Sequence, residues 1–129
     1  MSNKISIMLI SGKREQLQMA AMVASVGAVS GNEVTVFLSM NALEFFTKDN
    51  DSKAPADGPM GALLEEKNAP DFMELFEQAV ELGDAKIYPC SMAVDIMELS
   101  QDNLKDFVSE SLGLTKFLDD ASEGQIWTF

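Results

Sequence analysis

The chain has 129 residues, 47% of them hydrophobic, with 21 acidic side chains against 9 basic ones and a formal net charge of −12. That is length and apolar content for one domain spanning residues 1–129 with its own core, and a field of that sign repels phosphates, so nucleic acid and anionic membrane are poor partners. Histidine is absent and cysteine occurs once, which excludes Ser-His-Asp and Cys-His catalysis, histidine metal sites, an internal disulfide and a thiolate cage for zinc or iron–sulfur within one chain. No metal and no resident cofactor is expected.

Residues 4–11 read as a nearly continuous apolar strand, the pattern of a parallel strand covered on both faces. The apolar run is too short for a secretory h-region, and nothing approaches the ~20 apolar residues of a membrane span. The cytoplasm is therefore the expected compartment, and a free thiol stays reduced there.

A helix is expected over residues 14–30. Leu17, Ala21, Ala24 and Ala28 form one stripe, and Met19, Met22, Val26 and Val29 form a second. A helix apolar on most of its circumference is buried on more than one side, by a loop of its own chain or by another subunit. Residues 33–38 make the second strand, in a right-handed β-α-β unit.

A short helix follows over residues 41–46, with Asn41 as its cap, and then a polar stretch, 47–61, read as a mobile loop. Asn68-Ala69-Pro70-Asp71 reads as a helix start, Phe72, Leu75, Phe76, Ala79 and Val80 as its apolar face, and Gly83 as its stop. Residues 85–88 are the third strand, running into Pro89-Cys90-Ser91 and a new helix. Residues 107–109 form a short fourth strand, 114–121 the last helix and 125–129 a terminal strand. Strands alternating with helices give an α/β protein, a three-layer α/β/α sandwich.

Cys90 is the candidate catalytic residue. It falls where the third strand ends and a helix begins, so it sits on the carboxyl edge of a parallel sheet, where open α/β folds bind ligands. At a helix N-terminus the unpaired amides and the helix dipole favour a thiolate, the form that attacks sulfane sulfur or a disulfide. The competing reading is a small, inert core side chain.

Ser11, Gly12 and Lys13, after the first strand, open on the same edge. With Asn41, Ser91 and Met92 they complete a candidate substrate-binding set suited to a thiosulfate-like or sulfite-like anion. Arg14 belongs to the same turn, which lacks the spacing of a phosphate-binding loop. Asp95 reads as structural, and the nine methionines as core filling rather than a copper(I) site.

Three segments resemble the DsrE/DsrF-like family: residues 5–11 with Glu33-Val34-Thr35-Val36-Phe37; Glu81-Leu82-Gly83 leading to Cys90-Ser91-Met92-Ala93-Val94-Asp95-Ile96-Met97; and Gly113-Leu114-Thr115-Lys116-Phe117-Leu118 before the terminal strand. The likeness covers nearly the whole chain. It is strongest to the DsrE-like, peroxiredoxin-like branch of these sulfur-relay proteins.

The resemblance implies a mostly parallel five-stranded sheet and a homo-oligomer. It also implies sulfur carried as a persulfide or thiosulfonate on Cys90 and exchanged with TusA-like or rhodanese-like partners. The sequence departs from the family in two places. The Gly/Met-rich insert of longer relatives shrinks to Gly58-Pro59-Met60-Gly61, and Glu98 stands where a glycine is expected after Met97. The alternative function is a non-catalytic, flavodoxin-like small-ligand-binding or scaffold subunit.

Overall fold

The structure, a computed structural model, describes residues 3–129. Four parallel strands form one sheet in the order β3-β2-β1-β4: β1 (Lys4–Leu9), β2 (Glu33–Leu38), β3 (Lys86–Pro89) and β4 (Gln125–Thr128). Ile5, Ile7 and Leu9 lie beside Val34, Val36 and Leu38 in register, so one face of the central pair is a continuous aliphatic surface.

Helix α1 (Arg14–Val29) crosses that face. A Cβ on its Gly27 would lie 3.3 Å from Val34 Cγ2 and 3.4 Å from Ile5 Cδ1. Phe37 points to the other face and stacks on Phe117 of α5 (Leu114–Ala121), with ring centroids 4.7 Å apart. Helices on both faces of a parallel sheet give the expected sandwich.

The expected strand over residues 107–109 does not form. The segment instead touches the outer edge of β3 at two points: Ser109 N–H donates to the Ile87 carbonyl (2.7 Å) and Leu112 N–H to the Pro89 carbonyl (2.9 Å). Three residues advance on this segment while two advance on β3, and that extra residue breaks a regular ladder. The fifth track therefore reduces to an isolated bridge between Cys90 and Leu112.

Other local expectations are corrected. The helix after β2 is a 3₁₀ helix, Met40–Phe46, whose N-cap is Ser39; Asn41 lies inside it and caps nothing. The polar stretch closes early, because α2 (Pro59–Glu66) begins at Pro59, a residue whose fixed φ suits a first helical position. The cap of α3 (Phe72–Gly83) is Asp71, whose carboxylate accepts from Met73 N–H at 3.1 Å, while Asn68 turns left-handed (φ 56°) behind α2.

Met8 and Met73 pack against the core, but most of the methionines do not fill it. Met19, Met22, Met40, Met60, Met92 and Met97 are all exposed. The second stripe of α1 is likewise open, with Met19, Met22, Val26 and Val29 each 44–67% accessible.

Gly83 does not stop α3 by its own conformation; Asp84 supplies the left-handed residue (φ 58°). Gly83 lets α3 come close against α1, since a Cβ there would fall 2.5 Å from Ala28 Cβ and 2.6 Å from the Ala28 carbonyl carbon. Alanine gains about 1 kcal/mol over glycine in a helix interior, but overpacking against backbone costs about 1–3 kcal/mol. Gly83→Ala is therefore expected to lower unfolding stability, read as an earlier urea midpoint at unchanged slope; a later midpoint would contradict the packing argument.

Candidate functional site

The carboxyl ends of β1, β2 and β3 lie side by side, and the segments leaving them build the candidate site. Cys90 leaves β3 with extended backbone (φ −66°, ψ 125°) and is the N-cap of α4 (Ser91–Ile96). Its N–H donates to the Leu38 carbonyl at 2.7 Å, and its own carbonyl accepts the first helical bond from Val94 N–H at 2.9 Å. Ser91 N–H is taken by the Leu112 carbonyl at 3.0 Å.

The thiol lies at the expected junction but is nearly covered, at 6% exposure, and its side chain accepts no capping hydrogen bond. Along α4 from it opens a cleft of about 320 Å³ lined by Met40, Asn41, Glu44, Met92, Ala93, Ile96 and Met97, without Cys90 itself. Met40, Met92 and Ile96 are 57%, 51% and 71% exposed, so its mouth is soft and apolar.

The expected substrate-binding residues divide into two groups. Asn41 and Met92 line the cleft together, with Gly12 behind them; a Cβ on Gly12 would fall 3.0 Å from Asn41 Cβ and 3.4 Å from Phe45 Cε2. Ser91 adjoins the thiol, with its hydroxyl near Gly113.

Ser11 and Lys13 are occupied with the turn itself. Ser11 Oγ accepts from Lys13 N–H at 3.0 Å, and the Ile10 and Ser11 amides both donate to the Phe129 carbonyl oxygen, at 2.9 and 3.2 Å. Lys13 is exposed at the N-cap of α1.

The first turn of α1 carries a device that residue type alone did not announce. Arg14 Nε donates to the Ala54 carbonyl (3.0 Å) and Nη1 to the Gly61 carbonyl (2.8 Å). Glu15 accepts from the Asp57 and Gly58 amides at 2.8 and 2.6 Å. Those amide bonds, Asp57 foremost, hold the Glu15 carboxyl below the usual carboxylate range. The stretch expected to be mobile is thus strapped to α1. Polar residues in a loop signal solvent, and only the fold brings Arg14 and Glu15 opposite it.

A profile of the DsrE/DsrF/DrsH-like family matches residues 55–129, more than half of the chain and the part that contains Cys90. The chain belongs to this family. Membership in the DsrE/DsrF/DrsH-like family suggests a sulfur-relay role.

No curated protein matches the chain. Among solved structures, a protein of unknown function from Methanobacterium thermoautotrophicum has the same fold at 7% identity and a TM-score of 0.65, over 99% of this chain and 100% of the other. Among the described residues no helix is long and apolar enough to cross a membrane.

Glu98, where a glycine is expected, stands at a position with a structural meaning. Glu98 has φ 54° and stands just past the end of α4. Its N–H donates to the Asp95 carbonyl (3.1 Å) and Leu99 N–H to the Val94 carbonyl (3.0 Å), the pair of bonds of a Schellman ending. Glycine takes that left-handed position without strain, whereas a residue with a Cβ loses about 1 kcal/mol. Glu98→Gly is expected to raise stability by up to about 1 kcal/mol, seen as a higher thermal midpoint; a lower midpoint would mean that the glutamate side chain contributes a contact outweighing the strain.

Proposed function

We propose that this chain carries sulfane sulfur on Cys90 and passes it to a partner thiol. The observation that supports it best is the position of the only cysteine, at the carboxyl end of β3 and the N-cap of α4, inside the segment that matches a sulfur-relay family. In the loading step the Cys90 thiolate attacks the outer sulfur of a donor persulfide R–S–SH. A new S–S bond forms to Cys90, the donor S–S bond breaks, and R–S⁻ leaves with the electron pair, so no oxidant or reductant is consumed. Unloading is the same displacement in reverse, with the acceptor thiolate as attacker.

One cysteine suffices for this, because the partner supplies the second thiol. Partners of the TusA-like or rhodanese-like kind suit the role, and a reducing compartment such as the cytoplasm keeps the thiol available. The near-complete cover over the sulfur fits a carrier that must protect a persulfide between transfers, with the soft cleft at Met92 and Met97 as its approach.

Incubation with polysulfide followed by intact-mass measurement is expected to add one sulfur atom to the wild-type chain and none to Cys90→Ser. An equal gain on both, or none on the wild type, would overturn the proposal.

The exposed ridge of α1 supports a homo-oligomer. Met19, Met22, Val26 and Val29 present a strip of helix without charge on a chain whose net charge of −12 otherwise opposes self-association. Light scattering on the eluting protein is expected to give a multiple of the 14.1 kDa chain mass, and Val26→Glu to give the chain mass with unchanged circular dichroism. A monomeric wild type would remove this part of the proposal.

A further inference from the structure

The largest cavity among those described, about 500 Å³, is a different one from the cleft beside the thiol. It lies between the start of α1, the strapped segment around Ala54, the end of α2 and the start of α3. Its volume falls in the range of small-ligand sites.

Its walls are of two kinds. Phe45, Leu64, Phe72 and Met73 provide an apolar side, with Phe45 and Phe72 edge to face at 6.4 Å between centroids. Arg14, Lys53 and Lys105 provide three of the chain's nine basic side chains.

The lining is balanced in formal charge, Arg14, Lys53 and Lys105 against Asp51, Glu65 and Asp71, so the sign of the ligand turns on which donors are left unspent. Glu65 is shared by two cations, lying 3.3 Å from Arg14 Nη1 and paired with Lys53, and both hold its carboxyl below the usual range. The Asp71 carboxylate is already engaged by the α3 backbone, and Asp51 is exposed. Lys105 is half-buried and forms no ion pair among the described residues. Arg14 spends Nε and Nη1 on backbone carbonyls and Glu65, while Nη2 makes no bond among the described residues and is not a buried, unsatisfied atom. On a chain of net charge −12, a cleft with unspent donors from two cations stands out from the rest of the acidic chain.

We infer that this cleft binds a small organic anion: an apolar, ring-sized body against Phe45, Phe72, Leu64 and Met73, and one acidic group held by Lys105 and Arg14, with Lys53, already paired with Glu65, beside them. Apolar burial supplies affinity, and the acidic group supplies orientation through charge-assisted hydrogen bonds. The inference is independent of sulfur transfer, because Cys90 does not line this cleft.

Titration of the ¹⁵N-labelled full chain with phenyl phosphate, benzyl alcohol and inorganic phosphate tests it. Phenyl phosphate is expected to move the amide resonances of Ala54, Ala69, Phe72 and Met73 saturably, and to bind at least about tenfold more tightly than either the neutral ring or the bare anion. The double variant Lys53→Ala/Lys105→Ala is expected to lose about tenfold in affinity for phenyl phosphate while its remaining spectrum keeps the native dispersion. Equal binding of benzyl alcohol, an unchanged affinity in the double variant, or shifts confined to residues elsewhere would each overturn the inference.

Discussion

The bond from Cys90 N–H to the Leu38 carbonyl, 2.7 Å long, is the last rung of the β2–β3 pairing. It holds the residue that ends the strand and, through its own carbonyl, begins α4. Cys90 belongs to two elements at once, and neither can shift without the other. Because the sheet is parallel, the ends of β1 and β2 face the same way, so Gly12 and Asn41 arrive beside that junction with no dedicated contact to the thiol. The site is a consequence of strand direction first and of side-chain choice second.

What the sequence made legible follows how strongly each segment's own pattern exceeds its tertiary context. Residues 33–38 and 114–121 match β2 and α5 at both ends, and α1 matches to within one residue. Each has an apolar period with clear breakers on both sides. Helix α2 was invisible because Met60, Gly61, Ala62 and Leu63 carry no stripe. Its first turn is fixed from outside, by Glu15 on the Gly58 amide and Arg14 on the Gly61 carbonyl, bonds spanning more than forty positions. The caps were misplaced for a related reason. Asn68 and Asp71 both suit a cap, and which one closes α3 depends on where α2 ends. At the site, the position of Cys90 was legible while its cover was not, because burial is set by neighbours distant in sequence.

The left-handed residues sort into two kinds. Asn68 and Asp84 end helices with residue types that tolerate that conformation. Met40 and Glu98 do not belong to those types, and they bracket the same cleft: Met40 lines it, and Glu98 follows Met97, which lines it from the other side. Strain of about 1–3 kcal/mol at such residues persists only where the surroundings overdetermine it, and it gathers at functional edges. Here it falls at the two residues that flank the methionine-lined cleft.

That placement bears on how a covered thiol could exchange anything. Opening the whole protein to expose one sulfur would cost its full stability, which is of order 5–15 kcal/mol for a domain. Local opening draws only on the contacts of the element that moves. Helix α4 is six residues long, buries only Ala93 among them, and ends on a strained Glu98. By contrast, α1 and α3 are locked at Gly83 against Ala28. Helix α4 is therefore the lightly anchored element at Cys90, and because Cys90 is its N-cap, any displacement of α4 also loads the bond to Leu38.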